Sequence, residues 1–519
     1  MTADGPGARV VVVGGGVAGL VVARDLARAG VRVTVLESSA HLGGCVGPLT
    51  VRRGGIDGAP PPGDDSPFTS LTLDGGAESF ATRSPAVATL VSELGLARDV
   101  VHPPATPAWV RSAHVSAPLP RSGVLGIPGS LDEVRRTLGT AAWLRARLDS
   151  VLPASVGTGV RRGRPVSVGH LVRTRLGRGV LRTFVAPVAG GVHSADPDLL
   201  DVDAVAPGLR AGVATHGSLV AAAAHLRSAA PAGSAVAGLR GGVHRIVAAL
   251  ADDVRAHGGT VVTSARVERL RRDGDGWALT VVGPAAPGTM EAALGADALI
   301  EEHADHVVVA ASAVAARDLV GPLLPGTVVP APPVRGGINL VTLVVDAPAL
   351  DAAPRGTGVL VADGTAAALG IRAKALTHAS AKWAWVADAL PPGHHAVRLS
   401  YGHLGETPDA ADASATSLER TALHDAGLLL ATPLTPADVV GCAVVRFPSG
   451  LPFASVGHAA RVARVRADVA ALPGLDVTGA WVAGTGLTAV VTDARRTAQA
   501  VLAAVATPGA HAPHQPPRD

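Results

Sequence analysis

Apolar and polar positions along this chain switch between two periods, one suited to strands and one to helices. A β-branched run, Val10 to Val13, stops at Gly14, Gly15 and Gly16, and VAGLVVARDLARAG follows with apolar residues at helical spacing. The pattern predicts a strand, a tight turn and a helix closed by Gly30. VRVTVLE then predicts a second strand ending at Glu37. Next come SSAHLGGC and RRGGIDGAPPPGDDSPFTS, whose proline, glycine and aspartate predict an irregular insertion. LTLDGGAESFATRSP reads as a strand and glycine turn, and AVATLVSELGL as a helix.

Near His102 prolines multiply, and helices with short strands are expected to about residue 234. Beyond it, GLRGGVHRIVAALADDVRAHGG predicts a turn and helix, and TVVTSARVERLRRD, WALTVV and ADHVVVAAS predict strands. Strands at 337–346, 357–362 and 396–401 are expected to form a separate sheet. DVTGAWVAGTGLTAVVTDARRTAQAVLAAV repeats the order strand, glycine turn, helix.

Gly14, Gly16 and Gly19 stand in the register GxGxxG between a strand and a helix. The first glycine permits the turn, the second admits a pyrophosphate, and the third lets the helix pack on the strand. Glu37, about 20 residues on, is placed to accept hydrogen bonds from ribose hydroxyls. Segments of this character lie at the start, middle and end of the chain. The expected class is therefore α/β, with a discontinuous Rossmann-like cofactor domain (1–100, 235–320 and 435–507) and an inserted α+β substrate domain (101–234 and 321–434). Residues 508–519 are too polar and proline-rich to fold and are expected to be disordered.

Composition narrows the function. The 519 residues are 48% hydrophobic and 17% charged, with net charge +3 and a pI near 9.3. The arginines are scattered without interleaved aromatics, so no nucleic-acid partner is expected and an anionic small molecule fits better. Cys45 and Cys442 form no CxxC, which excludes a redox-active disulfide. EEHADH at 301–306 reads as a solvated loop rather than a metal site, and no metal is expected. The first apolar run is the nucleotide strand itself, so no signal peptide is expected, and no apolar run reaches the roughly 18 residues of a membrane span. The expected location is cytoplasmic.

With these residues in view, the chain resembles the amine-oxidase-like flavoproteins, and within them the bacterial protoporphyrinogen and coproporphyrinogen III oxidases. The resemblance rests on GGGVAGLVVARDLARAGVRVTVLE, GGAESFATRSPAVATLVSELGL, the segment VRTRLGRGVLRTFVAPVAGGVHSADPDLL around a PxxxGxyxxD core, the pair Lys382 and Trp383, and SVGHAARVARV. It implies FAD as cofactor. Gly14, Gly15, Gly16, Val17, Ala18 and Gly19 resemble the pyrophosphate loop, and Glu37 the ribose carboxylate. Gly76, Ala77, Glu78 and Ser79 resemble the turn close to the isoalloxazine, Val267 the residue whose backbone meets the adenine, and Thr485, Gly486 and Leu487 the turn that returns to the flavin. Ser38, Gly44 and Phe447 join the expected cofactor set. Departures are His41 where the family places arginine before LGG, Phe447 where it often has tryptophan, GTGLTAVV for GxGIPxCI, and LPFA for MPQY.

The same resemblance implies a porphyrinogen substrate, hydride transfer from a meso carbon to the flavin, and reoxidation by dioxygen, with the protein supplying orientation and exclusion of water. It favours coproporphyrinogen III, with four carboxylates, over protoporphyrinogen IX, with two. It is also compatible with a peripheral membrane contact and with contacts to other haem-pathway enzymes. No second GxGxxG occurs, so no nicotinamide domain is expected. Arg83, Arg173 and Arg175 are the candidates for substrate carboxylates, since guanidinium matches carboxylate geometry; the competing reading of the latter two is a solvated helix face. Lys382 reads as a surface lysine before a buried Trp383 rather than a base. No catalytic acid or base is assigned. An aromatic cage of two tyrosines, as in amine oxidases, is excluded because Tyr401 is the sole tyrosine. The alternatives are a protoporphyrinogen IX oxidase, another amine-oxidase-like flavoenzyme such as a carotenoid-type desaturase, and a flavin-binding partner of haem synthesis without catalysis.

Overall fold

The computed structural model describes residues 7–56, 67–160, 163–229, 235–284, 297–330, 337–362, 364–402, 414–448 and 454–506. The insertion expected after Arg53 and the terminal tail fall largely or wholly outside them.

Two sheets organise the chain. The first has five parallel strands in the order Thr260–Val262, Arg32–Leu36, Arg9–Val13, His306–Val309 and Leu475–Val477. Strand alternation sends Val10 and Val12 to one face and Val11 and Val13 to the other, and all four are buried. On the first face lie the glycine helix Val17–Arg28, the helix Arg245–Ala256 and the closing helix Leu487–Ala506. On the second lie helices Ala313–Val320 and His458–Ala470 and an antiparallel meander. Arg24, 2% exposed, ties this helical layer together by donating to Asp253 at 2.5 Å and Glu93 at 2.7 Å.

The meander joins Arg266–Asp273, Gly276–Pro284 and Asp297–Ala304. Its last strand corrects one expectation: Glu301, Glu302 and His303 lie on a strand edge paired to Thr280, Leu279 and Ala278 respectively, not in a loop. Their polarity reflects a sheet face turned to water.

The second sheet has seven strands in the order Val439–Phe447, Ile338–Asp346, His394–Tyr401, Ala375–His378, Gly358–Val361, Trp109–Arg111 and Ser116–Pro118. It contains the separate sheet expected from the sequence. It also takes in Val439–Phe447, so the change from large sheet to parallel layer comes after Phe447 rather than at 435. Eight positions of Val439–Phe447 pair with Ile338–Asp346, with a bulge at Val440, and that pairing rather than local composition decides the strand's sheet. A helical cluster from Leu131 to Ser228 packs around Leu171, Val172, Leu176 and Val213. Among the described residues no helix is long and apolar enough to cross a membrane.

The large sheet also buries a histidine pair. His378, wholly buried, has Nε2 at 3.2 Å from His395 Nδ1, and His395 Nε2 lies 3.0 Å from Asp351. Burial, and then the neighbouring His395, push His378 down to about 4 from an ordinary value of 6.5. The folded protein thus keeps His378 neutral. Its contribution to stability is full above the unfolded value and is lost as pH falls through the folded one. We expect this residue to make the protein about 2 kcal/mol less stable at about pH 5 than at about pH 7. Urea denaturation of wild type and His378→Leu at the two pH values checks it, since the variant loses that part of the difference.

Candidate cofactor and substrate site

The glycine loop is shaped by what cannot fit there. A Cβ on Gly19 would lie 1.9 Å from the Gly14 carbonyl oxygen, and one on Gly14, whose φ is +112°, would lie 2.8 Å from that of Ala310. Both glycines are required by packing. A Cβ on Gly16 would meet nothing within 4 Å. The uncapped N-terminus of the glycine helix therefore opens onto free space, where its unpaired N–H groups and dipole suit a phosphate. Gly44 borders the same space, its ideal Cβ finding only Gly16 Cα at 3.9 Å, and Gly484 and Gly486 before the closing helix also have nothing within 4 Å.

Glu37 sits at the end of its strand as expected. Its Oε2 accepts from the Gly15 N–H at 2.8 Å and its Oε1 from the Ser39 N–H at 2.8 Å, while the Ser38 hydroxyl lies 3.2 Å away. The Glu37 carbonyl accepts from Ala265 at 2.8 Å, which brings the strand carrying Val267 alongside. His41 is exposed and makes only local contacts with Ser39.

Beside the loop, the turn from Gly75 to Ser79 is held by backbone bonds. Gly75 donates to Gly47 at 2.8 Å and Ala77 to Cys45 at 3.0 Å. A Cβ on Gly76 would lie 2.3 Å from the Cys45 oxygen and 3.1 Å from Phe447 Cζ, so this turn closes tightly against the end of the large sheet. The Asp74 carboxylate accepts from the N–H groups of Val243 and His244 at 3.0 and 2.8 Å. Thr488, near the start of the closing helix, donates to Ala81 at 3.2 Å. The elements carrying the expected cofactor residues thus meet in one region.

Glu78 accepts from Lys382 Nζ at 2.5 Å and pairs with Arg398 at 2.8 Å. Burial alone would raise its pKa, but Arg398 and Lys382 together hold the carboxyl down at about 2. This corrects the surface reading of Lys382, whose ammonium is drawn inward by a carboxylate distant in sequence; Trp383 is buried as expected, at 3% exposure. Sequence reasoning missed Arg398 altogether, because nothing local marks a strand arginine as an ion-pair partner.

The three arginine candidates do not converge. Arg83 is exposed at the start of the loop before Ala86–Glu93. Arg173 is half-buried and pairs with Asp198. Arg175 is wholly buried, bound to Asp149 at 2.5 Å and to the carbonyls of Asp149, Leu152, Pro153 and Val156. Its donors are already used, which removes it from the substrate set and also from the solvated-face alternative. His193 was not singled out from sequence although it stands at the y of the PxxxGxyxxD core; burial, and then Arg83, lower its pKa. Tyr401 is buried and hydrogen-bonded to Asp425 at 3.3 Å within the large sheet.

A strand and helix joined by glycines that leave an open, positively polarised cradle, with a carboxylate at the next strand's end, define a dinucleotide-binding protein. The residues fit FAD: the one loop glycine that packing does not require is the one facing free space. The pattern of the flavin containing amine oxidoreductases matches residues 17–502, and the chain belongs to that family. It is an oxidoreductase with FAD as cofactor. The chain is 29% identical to a coproporphyrinogen III oxidase of Propionibacterium freudenreichii subsp. freudenreichii, over 98% of this chain and 94% of that one. It is 31% identical to one of Mycobacterium leprae (strain TN), over 95% and 98% respectively. Its fold matches that of a provisionally assigned protoporphyrinogen oxidase from Exiguobacterium sp. 255-15, with a TM-score of 0.75 and 23% identity over 95% and 98% of the two chains.

Gly16→Val is expected to fill the cradle and abolish flavin retention while leaving the far-ultraviolet circular dichroism unchanged, whereas Gly19→Ala is expected to lower the yield of folded protein. Gel filtration with absorbance at the flavin band separates the two outcomes. For the arginines, Arg175→Met strands a buried carboxylate and is expected to destabilise by about 3–5 kcal/mol in urea. Arg173→Met is expected to change stability by no more than about 0.5 kcal/mol.

Proposed function

We propose that the protein is an FAD-dependent oxidase that converts coproporphyrinogen III to coproporphyrin III in haem biosynthesis, with dioxygen as electron acceptor. Near-full-length similarity to chains named coproporphyrinogen III oxidase carries this reading. In this proposal the loop Gly14–Gly19 and Gly44 hold the pyrophosphate, Glu37 with Ser38 the ribose, and Val267 the adenine end. Gly76–Ser79, Phe447 and Thr485–Leu487 surround the ring. Bound FAD supplies two-electron oxidation at that ring. The chain's own tasks are to orient the macrocycle and keep water away.

Open glycines at both helix N-termini and a tightly closed turn at Gly76 support this arrangement. The proposed division follows the sheets: the parallel sheet with its helices and meander binds FAD, while the large sheet and the helical cluster from Leu131 to Ser228 form the substrate side. Arg83 is the guanidinium we assign to a substrate carboxylate. It is exposed, presents a guanidinium fork that matches a carboxylate, and follows the turn by only a few residues.

The purified protein is expected to be yellow, with about one FAD per chain on the strength of its single complete dinucleotide unit. In air it should turn coproporphyrinogen III into a fluorescent porphyrin with consumption of dioxygen, and NADH or NADPH should not reduce the flavin at a rate competent for turnover. Arg83→Met is expected to raise KM for coproporphyrinogen III about tenfold or more, the value of one charged hydrogen bond, with FAD content unchanged. Equal oxidation of protoporphyrinogen IX by the wild type would overturn the substrate assignment. An unchanged preference in the variant would overturn the role of Arg83.

A further inference from the structure

Three charged groups from three separate elements meet beneath the turn that closes on Phe447. Glu78 comes from the turn itself, Lys382 from the end of the short helix Ala379–Lys382, and Arg398 from strand His394–Tyr401 of the large sheet. Their side chains are 14%, 20% and 14% exposed. Below them lies only a cavity of about 20 Å³, lined in part by Thr342, Trp383 and Val386. One carboxylate serves two cations, so the triplet carries one net positive charge where solvent screening is weak.

Arg398 has a second task. Its guanidinium donates to the carbonyls of Asp74 and Gly76 at 3.1 and 3.0 Å, gripping the turn at its tightest point and two residues before it. That turn is coupled to the cradle through backbone bonds. Ala77 donates to Cys45, and Gly43, in the same short segment, donates to Gly15 at 2.9 Å. Stability alone does not account for such a group, because a buried ion pair is commonly no more stabilising than well-packed apolar residues in its place. Charges fixed to the turn, Glu78 among them beside the Asp74 carboxylate that lines the same cavity, do have a consequence for a neighbour that gains electrons.

We infer that Glu78 is a positioning residue: with Lys382 and Arg398 it fixes the turn Asp74–Ser79 and sets, by its charge balance, the reduction potential of the flavin ring that this turn faces. The inference rests on the assignment of Gly76–Ser79 to the ring side of FAD. Reduction adds negative charge to the ring, and a fixed positive charge nearby favours the reduced form. Glu78 offsets one of these two cations and holds Lys382 and Arg398 in place.

The test is the midpoint potential of the bound FAD, measured by equilibration with reference dyes during slow enzymatic reduction, with no porphyrinogen present. Glu78→Gln leaves two positive charges and is expected to shift the potential upward. Lys382→Met leaves none and is expected to shift it downward. The double variant restores one positive charge and is expected to return close to wild type. A merely structural role would not produce opposite signs that cancel. Shifts of the same sign, or none, would overturn the inference. Where Glu78→Gln does not fold, Lys382→Met decides, because it retains the Glu78–Arg398 pair and the grip on Asp74 and Gly76. Failure to oxidise coproporphyrinogen III would overturn the proposed reaction without touching this result.

Discussion

The contact between Gly19 and the Gly14 carbonyl is the constraint on which the remaining architecture depends. With 1.9 Å available to a Cβ, any side chain at Gly19 would push the helix off the strand. The close approach delivers the helix N-terminus to the strand's end, and the Gly14 N–H then binds Leu36 at 2.8 Å, locking the turn to the neighbouring strand. Glu37 is thereby brought against Gly15. The closing helix packs on the same glycine helix through Val490, Val491 and Ala494, so a segment more than four hundred residues away returns to the same cradle. One missing side chain thus positions both helix N-termini that a dinucleotide requires.

How much of this was legible in the sequence follows the distance over which each feature is decided. The strand–turn–helix unit is local: glycine spacing, a β-branched run and helical periodicity act within about 30 residues, and the element ends came out within a residue or two. Ion pairs are not local. Glu78 and Lys382 are 304 residues apart, and no pattern near either of them announces the other. The same blindness explains Arg173 and Arg175. Two positions apart on a helix they point in different directions, so one can meet water while the other is enclosed by Asp149 and four carbonyls. Only the packing of the segment Leu148–Val156 decides which. The edge strand Asp297–Ala304 was misread for a related reason: a polar run is a loop by composition, and it becomes a strand only when Gly276–Pro284 offers it a partner.

The division of labour between the two sheets follows from their hydrogen-bond geometry. Parallel strands need crossover connections; the first crossover supplies the glycine helix, and the closing helix after the last strand, Leu475–Val477, supplies the second N-terminus at the cradle. The large sheet is mostly antiparallel, and its strand ends bring Phe447 and, through Arg398, a cation to the turn from the opposite side. The cofactor region is therefore built at a seam, with backbone dipoles on one flank and side-chain charge on the other. Backbone dipoles are fixed by the fold and tolerate the substitutions at His41 and Thr488, whereas side-chain charge changes with a single residue.

That asymmetry explains why departures from the family's pattern leave the geometry of the proposed cofactor site unchanged. His41 is exposed and bonded only to Ser39, so losing an arginine there removes one solvent-side cation without disturbing the Gly15–Glu37 hydrogen bond. GTGLTAVV still presents open glycines at Gly484 and Gly486, which is what the approach of a ligand to the closing helix demands. The turn at Gly76 has no such freedom: the Cys45 oxygen, Phe447 and Arg398 enclose it, and its neighbour Glu78 balances two cations. A substitution at His41 or Thr488 leaves the backbone donors of the cradle in place, whereas at the Gly76 turn a buried charge and a missing side chain fall within two residues of each other, and neither can change without moving the other.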